Sequence, residues 1–186
     1  MKKTVVYILA SIVVAITTFF CSSSQSADAG PQRVIIIRHG EKPDQGGNLS
    51  CQGFNRALAL ADVLHQKFGV PNAVYVPTVD MGKKTRDARM YQTIVPFAVK
   101  YNVEINTKYD VDDVDGLANT VKKQTGTVLL VWEHKKIDNI AKALGVSNAD
   151  KWDASDFDSI WIIDFKNGKS TLTKDRENIN PAAQCR

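Results

Sequence analysis

Arg33-Val34-Ile35-Ile36-Ile37-Arg38-His39-Gly40-Glu41 is the stretch that decides the fold. Val34 to Ile37 are all β-branched, with no polar residue between them. That pattern predicts a strand covered on both faces, because a strand with one wet face alternates apolar and polar side chains. Strands of this kind belong to mostly parallel sheets flanked by helices. The run stops at Arg38-His39-Gly40, and in open α/β sheets ligands bind outside the carboxyl ends of the strands. Arg38 and His39 therefore stand where a ligand would be met.

Downstream, the periodicity changes. From Ser50 a helix is expected, since Ala57, Leu58, Leu60, Ala61, Leu64 and Phe68 recur at helical spacing and Gly69 and Pro71 stop it. Residues 73–76 read as a short strand. Residues 85–101 read as a helix interrupted or kinked by Pro96, and 103–106 as another short strand. An acidic loop, 110–115, leads into a helix ending near Gln124. Residues 127–132 form a second buried strand with Glu133-His134 at its end, and residues 137–144 a helix closed by Gly145. Two final strands, 159–165 and 170–174, flank Asn167-Gly168, a hairpin signal. The predicted fold is α/β, a three-layer α/β/α sandwich whose mostly parallel sheet carries an antiparallel C-terminal edge hairpin. One domain is expected, residues 30–186.

Upstream, residues 1–29 read as a separate object. Lys2 and Lys3 precede an uncharged apolar stretch over residues 5–20, and a polar, small-residue stretch ends in Ala27-Asp28-Ala29. This is the layout of a secretory signal cut after Ala29. An uncleaved anchor ranks second, the apolar stretch being slightly short for a span. Lipidation of Cys21 ranks third, because Phe20 before it is bulky. Export to the periplasm or medium is the expectation, with no stable membrane insertion once the leader is removed. An oxidising compartment suits a disulfide between Cys51 and Cys185, which would tie the C-terminal tail to the body; two unpaired thiols are the alternative.

At 186 residues and 44% hydrophobic, the chain supports a compact core. Its net charge is +4, with lysines and arginines dispersed rather than clustered, which argues against nucleic acid as a partner. Two of the three histidines, His39 and His134, fall at strand ends, and Arg89 lies near the start of a helix. Converging, Arg38, His39, Arg89 and His134 make an anion site suited to phosphate, whose oxygens match a forked guanidinium. Positive neighbours keep an imidazole neutral, as a nucleophile must be. His65 reads as a boundary residue of its helix, and Trp132, Trp152 and Trp161 as packing residues; Asp156-Phe157 is grouped with the packing of the last strands. Lys83 and Lys84 sit in a loop that is either a solvated turn or an attractor for an anionic substrate. No GxSxG elbow, P-loop, HExxH or CxxC pair is present. A metal site is not expected, since the arginine beside His39 repels a cation.

Val34 to Glu41, VIIIRHGE, resembles the signature of the histidine phosphatase superfamily, the phosphoglycerate mutase-like proteins. Leu49-Ser50 with Gly53 and Arg56-Ala57 resembles the entry to that family's first helix. Arg89-Met90-Tyr91-Gln92-Thr93 resembles its R-x-x-Q-T, and Val128 to His134 resembles the strand that delivers its second histidine. The resemblance spans about residues 33–165. It implies a histidine acid phosphatase-type hydrolase of phosphoric monoesters: His39 takes the phosphoryl group, Arg38, Arg89 and His134 bind the phosphate oxygens, and no metal or cofactor takes part. It also implies an acidic proton donor. Asp113, in the acidic segment before the last catalytic strand, and Glu133 are the candidates, with Glu41 a further option; Lys135 occupies the position where one branch of the family carries its acid. The expected partner is a small or envelope-associated phosphate ester. A mutase-type phosphotransferase and an inactive phosphate-binding relative are the competing readings.

Overall fold

The computed structural model describes residues 30–79 and 88–185. Residues 1–29, expected to be a leader, together with Lys83, Lys84 and the first residues of the helix expected from 85, lie outside them. Among the described residues the order is β1 (Pro31–Arg38), α1 (Cys51–Phe68), β2 (Ala73–Tyr75), α2 (Ala88–Tyr101), β3 (Ile105–Asn106), α3 (Val114–Val121), β4 (Gly126–Trp132), α4 (His134–Ala143), β5 (Ser159–Lys166) and β6 (Lys169–Arg176). The sheet order is β3-β2-β4-β1-β5-β6. β1 runs parallel to β4, with Ile35 opposite Leu129 and Arg38 opposite Trp132. β5 runs antiparallel to β1, and β6 closes the edge as the expected hairpin partner. Asn167 and Gly168 hold φ of 51° and 71°, the left-handed pair that a tight two-residue turn requires.

The β-branched run is covered on both faces. Val34 and Ile36 join Leu130, Trp132 and Trp161 beneath Leu117 of α3 and Ile137 and Ile140 of α4. Ile35 and Ile37 join Leu129 and Val131 beneath Leu60 and Leu64 of α1 and Ile94 and Phe97 of α2. This is the three-layer sandwich, with β1 at its centre. Each of these fully buried side chains contributes roughly 2 kcal/mol of transfer free energy. α2 continues through Pro96 without a break. The proline forfeits one helix donor, but Met90, Ile94 and Phe97 bury the core face of the helix, and that packing outweighs the loss.

Two glycines bring the loop after β1 onto the first turn of α1. A Cβ on Gly53 would collide with the Glu41 carbonyl, and one on Gly40 would lie 2.9 Å from the Gly53 carbonyl oxygen. The crossing is pinned by Ser50 N donating to Glu41 O at 2.9 Å. Ser50 also caps α1, its Oγ accepting from Gly53 N at 3.1 Å, an interaction worth about 1 kcal/mol. Cys51 and Cys185 are joined in a disulfide. Asn55 supports the same tail by donating to the carbonyls of Ala182 and Gln184 at 2.8 and 2.7 Å.

Candidate active site

β1 delivers Arg38 and His39 to its carboxyl end, where both are almost fully buried, at 3% and 2% exposure. His39 N donates to Trp132 O on the parallel neighbour β4, so the residue is fixed by sheet register before its side chain is considered. The ring is then fixed by Gly40: His39 Nδ1 lies 2.7 Å from the Gly40 carbonyl oxygen. A carbonyl only accepts, so Nδ1 carries the proton and Nε2 keeps its lone pair. Burial first, and then the charges of Arg38, Arg89 and His134, push the imidazole down to about 3. At neutral pH it is the uncharged tautomer with a nucleophilic Nε2.

Arg38 is held by neutral groups. Its Nη1 donates to the carbonyls of Ala154 and Asp156 at 2.6 and 3.2 Å. The Phe157 ring lies 3.7 Å from its Cζ, and the same ring meets His39 edge-on with centroids 6.2 Å apart. Burial lowers the guanidinium to about 10, partly offset by the nearby charges of Asp156 and Glu41, so it stays ionised at neutral pH. Its Nε is buried without a hydrogen-bond partner.

α2 supplies Arg89 in its first turn, and its charge acts on both Arg38 and His39. The neighbouring Gln92 and Thr93 hold the loop that follows His39. Thr93 Oγ1 accepts from Gly40 N at 2.9 Å and donates to Arg89 O at 2.8 Å, while Gln92 Oε1 accepts from Leu49 N at 3.0 Å. His134 opens α4 rather than ending β4, so this helix starts one turn earlier than its apolar periodicity indicated. Burial, followed by the charge of Arg38, lowers its pKa, and its Nδ1 is buried without a hydrogen-bond partner. Arg38, Arg89 and His134 thus all lie within electrostatic reach of His39, the gathering expected from their order, and the two guanidinium groups make it a cationic cluster. Unpartnered buried donors in such a cluster are suited to the oxygens of an anion.

The candidate acids separate. Glu133 precedes α4 at its N-cap but makes no capping bond, and its charge acts on both Arg38 and His134. Asp113 caps α3, its Oδ1 accepting from Gly116 N at 3.0 Å, and is exposed. Glu41 is committed to Arg56, which grips it through Nη2 at 2.8 Å and Nε at 3.0 Å. Sequence reasoning missed the segment 154–158. Its contribution is two backbone carbonyls, which carry no residue signature, and Phe157, whose contact with Arg38 no local pattern announces. Among the described residues, no cluster of three or more His, Cys, Asp or Glu is placed to hold a metal ion.

No family model matches the sequence, and no curated protein matches it. Solved structures do. A mycobacterial glucosyl-3-phosphoglycerate phosphatase, solved with inorganic phosphate, superposes with a TM-score of 0.53 at 15% identity, over 77% of this chain and 95% of that one. A phosphoserine phosphatase from Entamoeba histolytica, solved with 3-phosphoglyceric acid, superposes with a TM-score of 0.51 at 15% identity, over 76% of this chain and 94% of that one. With its central strand ending in Arg38-His39 and its sheet ordered as described, the chain has the fold of the histidine phosphatase superfamily.

Proposed function

We propose that this protein is an exported, metal-independent phosphomonoesterase that works through a phosphohistidine on His39 and acts on a small or envelope-associated phosphate ester. The observation that carries this reading is the state of His39: buried, neutral, with Nδ1–H held by the Gly40 carbonyl and Nε2 left to attack. The likeness in fold to phosphatases supports it.

In the first step the Nε2 lone pair forms a bond to phosphorus while the ester P–O bond breaks. Arg38, Arg89 and His134 bind the equatorial oxygens and spread the charge of the transition state. Glu133 donates the proton that the leaving alkoxide takes. Of the candidate acids it is the one whose charge reaches both Arg38 and His134 while its carboxylate makes no capping bond. In the second step Glu133 accepts a proton from water, the hydroxyl oxygen bonds to phosphorus, the P–N bond breaks, and inorganic phosphate leaves. Positioning and fixed charge supply the catalysis.

The test is hydrolysis of p-nitrophenyl phosphate in EDTA by the chain from residue 30 onward, with mass spectrometry of the acid-labile adduct. Turnover should survive EDTA and fall on the order of 10³-fold or more in His39→Ala, with the phosphoryl group found on His39 in the wild type. An unchanged rate in the variant, or an adduct on another residue, overturns the reading.

A further inference from the structure

Three cavities of similar size differ in chemistry. One, of about 610 Å³, is lined by Glu41, Asp153, Asp156 and Asp158 against Arg56 and Arg176. A second, of about 500 Å³, is largely apolar, walled by Leu49, Phe54, Tyr91, Val95 and the disulfide. The third, of about 520 Å³, is lined by His134 and Ala154 together with Lys135, Lys142, Lys151 and Asp138. Of the three, the third alone takes a wall from the cationic cluster. His134 belongs to both, and Ala154, which lines the cavity, is a residue whose carbonyl Arg38 grips at 2.6 Å; the first cavity reaches Arg38 only through Asp156 and Phe157.

We propose that this third cavity is a second anion subsite, and that the substrate is a phosphate monoester whose alcohol portion carries a further negative charge, a carboxylate or a second phosphate. The proposal rests on the phosphatase reading and names its substrate class. α4 starts at His134, so Lys135, Asp138 and Lys142 follow at the spacing of one helix face. Lys142 is matched by Asp138 at 3.1 Å. Lys135 and Lys151 form no ion pair with a described residue, so the cavity keeps two cations unneutralised. The carboxylates of the first cavity repel the charge that these lysines attract, and the apolar walls of the second offer it no partner. An ester seated with its phosphate on Arg38 and His134 therefore extends its charged end along α4.

The test is calorimetric binding to His39→Ala protein, which cannot consume an ester by the proposed route. The probes are phenyl phosphate, 3-phosphoglycerate and fructose 1,6-bisphosphate. At least one of the two charged-tail probes should bind about tenfold more tightly than phenyl phosphate, and which one does separates a carboxylate from a second phosphate. In a Lys135→Ala, Lys151→Ala background that advantage should fall to about twofold or less. Equal binding of all three probes, an advantage that survives removal of both lysines, or no binding of the charged-tail probes overturns the proposal. If His39→Ala fails to fold, inhibition constants of the same probes against p-nitrophenyl phosphate in the wild type read the same ratio. Because binding is read without turnover, a failure of the phosphatase reading shows as missing hydrolysis, and a failure of the subsite as a missing affinity difference.

Discussion

Arg38 and Arg56 are both buried arginines, at 3% and 5% exposure, and they are kept for opposite ends. Arg56 is surrounded by carboxylates: Glu41 at 2.8 Å, Glu177 at 2.6 Å and Asp158 at 3.4 Å. Burial opposes its charge, but the hydrogen bonds to Glu41 and the charge of Glu177 outweigh that and hold the guanidinium above its ordinary value. Arg38 has carbonyl dipoles and an aromatic face in place of carboxylates, and burial lowers it to about 10. Arg56 is neutralised and joins three chain segments: the turn after His39, the start of β5 and the end of β6. Arg38 is shaped by its surroundings without being neutralised, so its charge remains for an anion. A buried arginine is read by what meets its fork, since burial alone does not distinguish a clamp from a binding group.

The sharpest break of this comparison is a pair of identical substitutions. Arg38→Met should cost hydrolysis on the order of 10² to 10³-fold, because a fixed donor to the transferring phosphoryl group is lost. The same variant should lose only about 1–2 kcal/mol of unfolding free energy, for the two carbonyls that its fork leaves behind. Arg56→Met should instead destabilise the protein by about 3–5 kcal/mol, since the buried Glu177 and the half-buried Glu41 are left uncompensated. Denaturant unfolding and steady-state kinetics on both proteins measure the two effects. Equal stability losses would erase the distinction.

Acid sharpens the same contrast at His39. Its folded pKa of about 3 lies below the ordinary 6.5, so between those values the unfolded chain binds a proton that the folded chain does not. This contribution to stability is complete above about pH 6.5 and is lost as pH falls toward 3. His39→Gln should therefore flatten the acid side of the stability profile by up to about 1.4 kcal/mol per pH unit between about pH 6 and about pH 4. NMR of the wild-type imidazole should show it neutral across that window. The smallest effect is expected from Phe157→Ala, which removes the ring over Arg38. A stability loss of about 1 kcal/mol and weaker binding of inorganic phosphate should follow, seen by thermal unfolding and calorimetry.

Much of this was legible beforehand. The run Val34–Ile37 declared a strand with two dry faces, and Asn167-Gly168 declared the hairpin. The order of Arg38, His39, Arg89 and His134 pointed to side chains that the fold does bring together at the strand ends. The start of α4 was less legible, because His134, Lys135 and Lys136 bring no apolar periodicity; their turn faces the cavity and solvent, and the pattern begins only at Ile137. Pro96 suggested an interruption or a kink, and α2 runs through it as one uninterrupted helix. Phe157 looked like a packing residue for the last strands, and its place over Arg38 depends on a loop more than a hundred residues away along the chain.

The sequence by itself determined the secondary structure, the layer order and the residue types gathered at the strand ends, because periodicity and turn chemistry are local and act within a few residues. It also held both cysteines in readiness without pairing them. Only the tertiary structure decided that Cys51 meets Cys185, that Glu41 serves Arg56, that Asp113 caps a helix while the charge of Glu133 acts on Arg38 and His134, and which arginine is matched by carboxylates. These are questions of partnership between groups 15, 102, 121 or 134 residues apart. The sign and burial of a side chain are written where it stands, whereas the charge it meets is fixed only when the sheet brings distant segments together.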